Sequence, residues 1–168
     1  MRKPAPSEVV IVSYNANDMQ SYQKAVSESA KLVLVGGCFD LMHIGHIRFL
    51  KQAKKAGDLL VVVLESDEFI QASKHREPVH SQAMRAEQLA SNRYVDVIVL
   101  LPYLTSHQDY DAMVAALAPD VIATTAGDSG QIYKIRQAHA LGIELMEVTP
   151  LITDYSSSSI IHEIISRD

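Results

Sequence analysis

The sequence predicts a single-domain α/β fold, a doubly wound parallel sheet with helices on both of its faces. Short apolar runs alternate with stretches of helical periodicity through most of the 168 residues. Turn-forming residues mark the transitions, as at Gly57-Asp58, Pro119-Asp120 and Gly142. The length suits one domain with a sizeable core, and no internal repeat is visible.

Each apolar run is a predicted strand and each periodic stretch a predicted helix. The first strand, Lys31–Val35, ends in paired glycines and leads into an amphipathic helix over Ile44–Ala56. Strands follow at Leu59–Leu64, Val95–Leu100, Val121–Thr124 and Ile143–Val148, and helices at Ser81–Ser91, Gln108–Leu117, Gly130–Leu141 and Ser157–Ser166. This alternation is typical of a Rossmann-like sheet, which binds ligands beyond the carboxyl ends of its strands.

The first thirty residues are predicted to form an extension, 1–30, that packs on the main domain, 31–168. Glu8–Tyr14 is apolar enough for an additional strand. Asp18 is a candidate cap for a helix that places Met19, Tyr22, Ala25 and Val26 on one face. The alternative is a surface helix that packs on the domain or on a neighbouring subunit.

Composition excludes several classes of function. The formal net charge of −5 leaves no broad basic surface for nucleic acid. The longest apolar stretches are too short to span a bilayer, and the amino-terminal residues lack the apolar core of a signal peptide. One cysteine, Cys38, rules out an internal disulfide and fits a reducing cytoplasm. We therefore expect a cytoplasmic protein without nucleic-acid or membrane partners.

The segment Gly36–Leu50 carries the strongest functional signal. A strand ends in Gly36-Gly37, and His43 and His46 lie three residues apart where a helix begins. Both imidazoles then share one face of the first helical turn. The free backbone N–H groups there lie at the positive end of the helix dipole and favour a phosphate. Gly45 leaves room for that phosphate to approach.

This arrangement resembles the HxGH signature of the nucleotidylyltransferase superfamily, in its cytidylyltransferase-like family. The matching positions are Gly37, Phe39, Asp40, His43, Gly45 and His46. The alternative is that two solvated histidines merely flank a helix start.

The resemblance implies a role for each matching position. His43 and His46 would stabilise charge on the α-phosphate and on the bridging oxygen. The Gly37-Cys38-Phe39 backbone and Gly45 would contact the nucleotide. We reject Cys38 as a nucleophile because the motif provides no activating base.

A cationic stretch follows the second strand. Lys74 and Arg76, with Arg85 on the next helix, resemble the family's K-x-R-P-V loop and the arginine after it. The resemblance implies that Lys74 and Arg85 are catalytic cations and that Arg76 binds nucleotide phosphates. The alternative is a solvated charged loop.

Two aspartates resemble acceptor-binding residues of the family. Asp67 lies in a Ser-Asp-Glu-Phe stretch similar to one in glycerol-3-phosphate cytidylyltransferase, and Asp40 follows Phe39 in the motif. The resemblance implies that both face the acceptor. The alternative for Asp67 is that it caps the following turn or helix.

Two later segments resemble further parts of a nucleotide site. Gly127 and Asp128 carry over from the family's short G-x-D or G-G-D segment, although Thr125-Ala126 departs from the family pattern, and the alternative is a plain strand-to-helix turn. Ser156, Ser157, Ser158 and Ser159 resemble a second signature, whose hydroxyls would bind the β- and γ-phosphates at a helix start. Thr153-Asp154 stands near where glycerol-3-phosphate cytidylyltransferases carry an Arg-Thr pair, so one expected phosphate contact is missing.

The resemblance implies transfer of AMP or CMP from ATP or CTP to a sugar phosphate or alditol phosphate, with release of pyrophosphate. Mg²⁺ is the expected cofactor, held mainly by the phosphates without a dedicated set of protein ligands. We also expect a homodimer or a higher homo-oligomer. Two alternatives remain open: an FMN adenylyltransferase-like enzyme, and a catalytically weak nucleotide-binding regulatory module.

Overall fold

The structure, a computed structural model, describes residues 8–17, 22, 26, 29–150 and 156–166. These form one sheet of parallel strands in the order β1-β4-β3-β2-β5-β6. The strands are β1 (Val10–Ser13), β2 (Leu32–Gly37), β3 (Leu59–Leu64), β4 (Val97–Leu100), β5 (Val121–Thr125) and β6 (Glu144–Thr149). The helices are α1 (Ile44–Lys54), α2 (Asp67–Lys74), α3 (Gln82–Ala90), α4 (His107–Leu117), α5 (Gln131–Leu141) and α6 (Ser157–Ile165).

The predicted doubly wound sheet is confirmed. From β2 the chain builds outward through β3 and β4, and it then returns to add β5 and β6 on the other side of β2. The strand order therefore reverses between β2 and β5. That switch point creates a crevice at the carboxyl ends of the two strands.

Two apolar layers, one on each face of the sheet, form the core. On one face Leu50 and Ala53 of α1 pack with Leu89 of α3 against the sheet. On the other face Met113 and Leu117 of α4 cover it. All six residues of β3 are buried, because helices cover both of its faces.

The amino-terminal strand belongs to the sheet itself. β1 lies parallel to β4, with Val10 opposite Val97, and forms one edge. The helix predicted from Asp18 lies outside the described residues except for Tyr22 and Val26. Tyr22 is buried, and its hydroxyl donates to the Leu117 carbonyl over 2.9 Å.

A helix, α2, forms immediately after β3. Its cap is Ser66, whose Oγ accepts from the Phe69 N–H over 3.2 Å. Asp67 occupies the first turn instead, where a carboxylate favours the positive end of the helix dipole. The capping alternative for Asp67 is therefore wrong by one residue.

The amino ends of β3 and β4 are tied to the end of α1. The Asp96 carboxylate accepts from the Leu60 N–H over 2.7 Å and from Lys54 Nζ over 2.5 Å. Asp96 thus links the end of α1 to β3, and β4 begins at Val97 rather than at the predicted Val95.

No helix in the described part of the chain is long and apolar enough to cross a membrane.

Replacing Leu50 with alanine should lower the free energy of unfolding by about 2–5 kcal/mol, because Leu50 is fully buried between α1 and the sheet. Chemical denaturation of both proteins measures this difference. Ile132→Ala is the matched control, since Ile132 is 69% exposed and its truncation should change stability by less than about 0.5 kcal/mol. Equal effects of the two substitutions would contradict the described packing of α1.

Candidate active site

A cleft of about 440 Å³ opens at the switch point of the sheet. Gly36 and Gly37 at the end of β2 and Thr125 at the end of β5 line it. The start of α1 forms one wall, and residues from the β3–α3 segment, α5 and α6 complete it.

The cleft brings together most of the residues predicted from the sequence. The predicted residues in its lining are Gly37, Cys38, Phe39, Asp40, His43, Gly45, His46, Lys74, Arg76, Asp128, Ser156 and Ser158. Arg85, Asp67, Gly127 and Ser159 do not line it. The side chain of Ser157 lies outside the described part of the chain.

His43 is both a helix cap and a cleft residue. Its Nδ1 accepts from the Gly45 N–H over 3.1 Å at the start of α1. In a neutral imidazole with Nδ1 as acceptor, the proton must be on Nε2. The cap therefore fixes the tautomer and leaves Nε2–H as a donor for a ligand.

His46 stacks on His43, with ring centroids 3.8 Å apart and an interplanar angle of 30°. Burial, and secondly the neighbouring His43, lowers the pKa of His46 to about 4, while the Leu41 backbone acts in the opposite direction. Burial also lowers the pKa of His43. Both rings are therefore neutral at pH 7. Nδ1 of His46 is enclosed by protein, so only the other ring nitrogen could face a ligand.

The loop between β2 and α1 is held in an unusual conformation. Phe39 has a φ of 47°, in the left-handed region that few non-glycine residues adopt. Its buried ring lies 5.1 Å from the His46 ring, and a Cβ at Gly37 would come within 3.1 Å of it. A side chain at Gly37 would therefore press on the ring that lies against His46. Burial, followed by Glu65, raises the pKa of Cys38 to about 11, so its thiol stays protonated at pH 7.

Asp40 has a different role from the one predicted. Its side chain is 2% exposed and accepts from Arg76 Nη1 over 2.6 Å and from the Val79 and His80 N–H groups over 2.8 and 3.1 Å. A carboxylate so engaged has little capacity left for an acceptor. Asp40 instead fastens the cationic loop to the histidine motif and keeps Arg76 at the cleft.

Arg85 also differs from its predicted role. It is completely buried outside the cleft lining. Nη1 donates to the Cys38 carbonyl over 2.5 Å, Nη2 to the Glu65 carbonyl over 2.8 Å and Nε to the His80 carbonyl over 3.1 Å. The guanidinium is used up by internal partners, so it positions the loop and does not contact phosphate.

Asp67 pairs with that same guanidinium. Its Oδ1 lies 2.7 Å from Nη2 of Arg85, and it does not line the cleft. The predicted acceptor contact of Asp67 is therefore not supported. Its carboxylate balances the charge of a buried arginine, which would otherwise be costly to desolvate.

The far side of the cleft carries a pair that the sequence did not predict. Lys134 on α5 lies 2.5 Å from Oδ2 of Asp128 and 3.2 Å from Oγ1 of Thr124. Burial acts to raise the pKa of Asp128, but Lys134 and nearby donors outweigh it and hold that pKa below its usual value. Gly127 serves the turn before α5, with a φ of 72°.

The serine segment begins α6 with a capping box. Ser156 Oγ accepts from the Ser159 N–H, and Ser159 Oγ accepts from the Ser156 N–H, both over 3.0 Å. Ser159 is thereby committed to the cap. Ser158, with Ser156, lies at the cleft.

With this geometry in place, the sequence profile of the cytidylyltransferase-like family matches residues 34–163, most of the chain. The chain belongs to the cytidylyltransferase-like family. The resemblance found from the histidine motif is confirmed, and as a member of this family the protein is a nucleotidyltransferase.

Relatives in the family carry two kinds of name. An FAD synthase of Thermococcus kodakarensis is 39% identical over 120 residues, which cover 69% of this chain and 78% of that enzyme. An FAD synthase of Thermococcus onnurineus is 45% identical over 92 residues, 54% of this chain and 59% of that enzyme. The bifunctional protein HldE of Campylobacter jejuni subsp. doylei is 31% identical over 166 residues, 92% of this chain but 34% of that protein.

A solved structure has the same architecture. The lipopolysaccharide core biosynthesis protein of Thermoplasma volcanium GSS1 superposes with a TM-score of 0.60 and 26% identity, covering 76% of this chain and all of that one.

Beneath the cleft of this nucleotidyltransferase lies a buried carboxyl group, Glu65, which the sequence did not single out. Its two oxygens accept from the Tyr110 hydroxyl over 3.1 and 3.0 Å. Burial raises the pKa of Glu65 to about 7, against the opposing effects of Tyr110 and Arg85. The sequence did contain one indication of this buried carboxyl group, because Glu65 directly follows the fully apolar strand β3.

Because the folded state holds this proton more tightly than the unfolded chain, Glu65 should cost stability as pH rises from about 4.5 towards 7. We expect Glu65→Gln to gain roughly 3 kcal/mol in free energy of unfolding relative to the wild type between pH 4.5 and pH 8. Denaturant titrations at several pH values measure the difference. Glu87→Gln, at an exposed position of α3, should show no such trend. A difference for Glu65→Gln that is constant with pH would contradict this role.

Proposed function

We propose that this nucleotidyltransferase is an FMN adenylyltransferase, which transfers AMP from ATP to FMN and releases pyrophosphate. The observation that carries the proposal is the 39% identity over 120 residues to an enzyme named FAD synthase. The sequence alone favoured a sugar phosphate or alditol phosphate as acceptor, with FMN as the alternative. The relatives favour FMN, which itself ends in a phosphorylated ribityl chain.

The proposed reaction is a direct, in-line transfer. An oxygen of the FMN phosphate attacks the α-phosphorus of ATP, one new P–O bond forms, and the bond to the β-phosphate bridging oxygen breaks. Pyrophosphate leaves with the electron pair. The protonated Cys38 thiol is no nucleophile, and no covalent enzyme intermediate is required.

The two histidines act as neutral hydrogen-bond donors in this proposal. Nε2–H of His43 points away from the cap, and His46 stacks beside it. Together they would bind the α-phosphate and the bridging oxygen, where negative charge grows in the transition state. Neutral rings avoid placing two buried positive charges in contact before the substrate binds.

Cations and helix starts would bind the rest of the polyphosphate. Lys74 at the end of α2 and Arg76 in the following loop line one side of the cleft, and Ser156 and Ser158 line it at the start of α6. The starts of α1 and α6 both line the cleft, and the positive ends of their dipoles would favour a phosphate there.

Mg²⁺ is part of the proposal as an ion that the phosphates bring with them. The described residues contain no group of three or more His, Cys, Asp or Glu side chains arranged to hold a metal. The cleft carboxylates Asp40 and Asp128 are paired with Arg76 and Lys134. When bound, Mg²⁺ would neutralise charge on the phosphate oxygens.

A sugar phosphate remains the second candidate acceptor. The observation in its favour is the similarity to the bifunctional protein HldE, which extends over 92% of this chain. The similarity to the two FAD synthases covers a smaller share of this chain, 69% and 54%.

A matrix of ATP, CTP, GTP and UTP against FMN, glycerol-3-phosphate and several sugar phosphates decides between the candidates. We expect pyrophosphate release with ATP and FMN above every other pair, and FAD as the product by chromatography. Pyrophosphate release with a sugar phosphate and none with FMN would overturn the proposal in favour of the second candidate. Tight ATP binding without turnover on any acceptor would favour a regulatory module.

Replacing His46 with alanine should lower the rate of pyrophosphate release by about 10²–10³-fold, since it removes one donor to the reacting phosphate. Circular dichroism should show that the fold is retained. His139→Ala, at an exposed position late in α5, is the control and should leave the rate unchanged. A near-normal rate in His46→Ala would refute the mechanism.

A further inference from the structure

Lys134 lines the cleft, but it belongs to neither the histidine motif nor the serine motif. It lies in the first turns of α5, and its side chain is 24% exposed. Nζ donates to Oδ2 of Asp128 over 2.5 Å and to Oγ1 of the buried Thr124 over 3.2 Å. An ammonium group has three N–H donors, and the third has no partner among the described residues.

Its location is unfavourable for a purely structural lysine. The start of a helix carries the positive end of the dipole, which repels a cation. Asp128 offsets that repulsion and at the same time holds the ammonium at the edge of the cleft. A bound anion would offset it equally well, so the pair can open without leaving Lys134 unbalanced.

We propose that Lys134 is a nucleotide-binding residue that contacts the β- or γ-phosphate of the substrate triphosphate. The proposal rests on the proposed function, because it assigns a residue to the nucleotide half of the same site. On binding, the ammonium exchanges the Asp128 carboxylate for a phosphate oxygen.

The residues near Lys134 indicate which phosphates it would contact. Lys134 follows β5, and Ser156 and Ser158 follow β6, its neighbour in the sheet. These serines are the residues proposed to hold the β- and γ-phosphates. The histidines begin α1, which packs on the other face of the sheet from α5, and they are the residues proposed to bind the α-phosphate.

Isothermal titration of the full chain with ATP and with AMP, in the absence of any acceptor, tests the inference. We expect Lys134→Met to weaken ATP binding by about 10- to 100-fold, the usual effect of losing a charged hydrogen bond. AMP binding should change by less than about 3-fold, because AMP lacks both contacted phosphates. Lys134→Arg should recover most of the lost affinity.

Lys31→Met is the matched control. Lys31 also forms an ion pair, with Glu144 over 3.4 Å, but beside the amino ends of the strands and away from the cleft. It should leave both affinities unchanged. Thermal melts of the nucleotide-free variants show whether Lys134→Met has merely destabilised the protein.

An ATP affinity that is unchanged in Lys134→Met would overturn the inference. An equal loss of affinity for ATP and for AMP would also overturn it, because it would place the lysine at the α-phosphate or in a structural role. A wild type with no preference for ATP over AMP would overturn it as well. Since no acceptor is present, failure to make FAD would refute the proposed acceptor and leave this result standing.

Discussion

One buried guanidinium holds together the end of the sheet that forms the cleft. Arg85, completely buried on α3, donates to carbonyls at the ends of β2 and β3 and to the carboxylate of Asp67 on α2. These contacts join the ends of β2 and β3 to α2 and α3 at one point. Removing the side chain would leave the Cys38 and Glu65 carbonyls buried without partners, which is costly. The unusual backbone at Phe39, and through it the placement of His46, depends on this anchor.

Before any ligand binds, the cleft combines neutral histidines with cations that are paired with carboxylates. His43 and His46 carry no charge at pH 7, whereas two of the cations, Arg76 and Lys134, are each paired with an aspartate. A free cleft of this kind avoids a concentration of unbalanced positive charge, which would destabilise the fold. For Lys134 we propose that a phosphate group takes the place of the Asp128 carboxylate, so that binding exchanges one anion for another.

The sequence predicted the sheet well because its strands are continuous apolar runs, and β3 has the predicted bounds. It also predicted that His43, His46 and Phe39 lie together at the cleft, since their positions follow from local spacing. It misjudged Asp40 and Arg85, whose partners lie up to 47 residues away in the chain. Such contacts depend on how helices pack, which periodicity does not encode. Lys134 was missed for a related reason, although a lysine at a helix start was a detectable anomaly.

These corrections change what the motif means. In Gly37-Cys38-Phe39-Asp40, the aspartate matches the family pattern, yet its carboxylate binds the loop from Arg76 to His80. The motif is therefore a device for assembling the cleft as much as a set of groups that touch the substrate. On the proposed mechanism, the motif sets where the α-phosphate reacts and which loop approaches it, and acceptor choice then depends on side chains outside the motif. Such a division of roles would let members of the family share one phosphate chemistry while their acceptors differ.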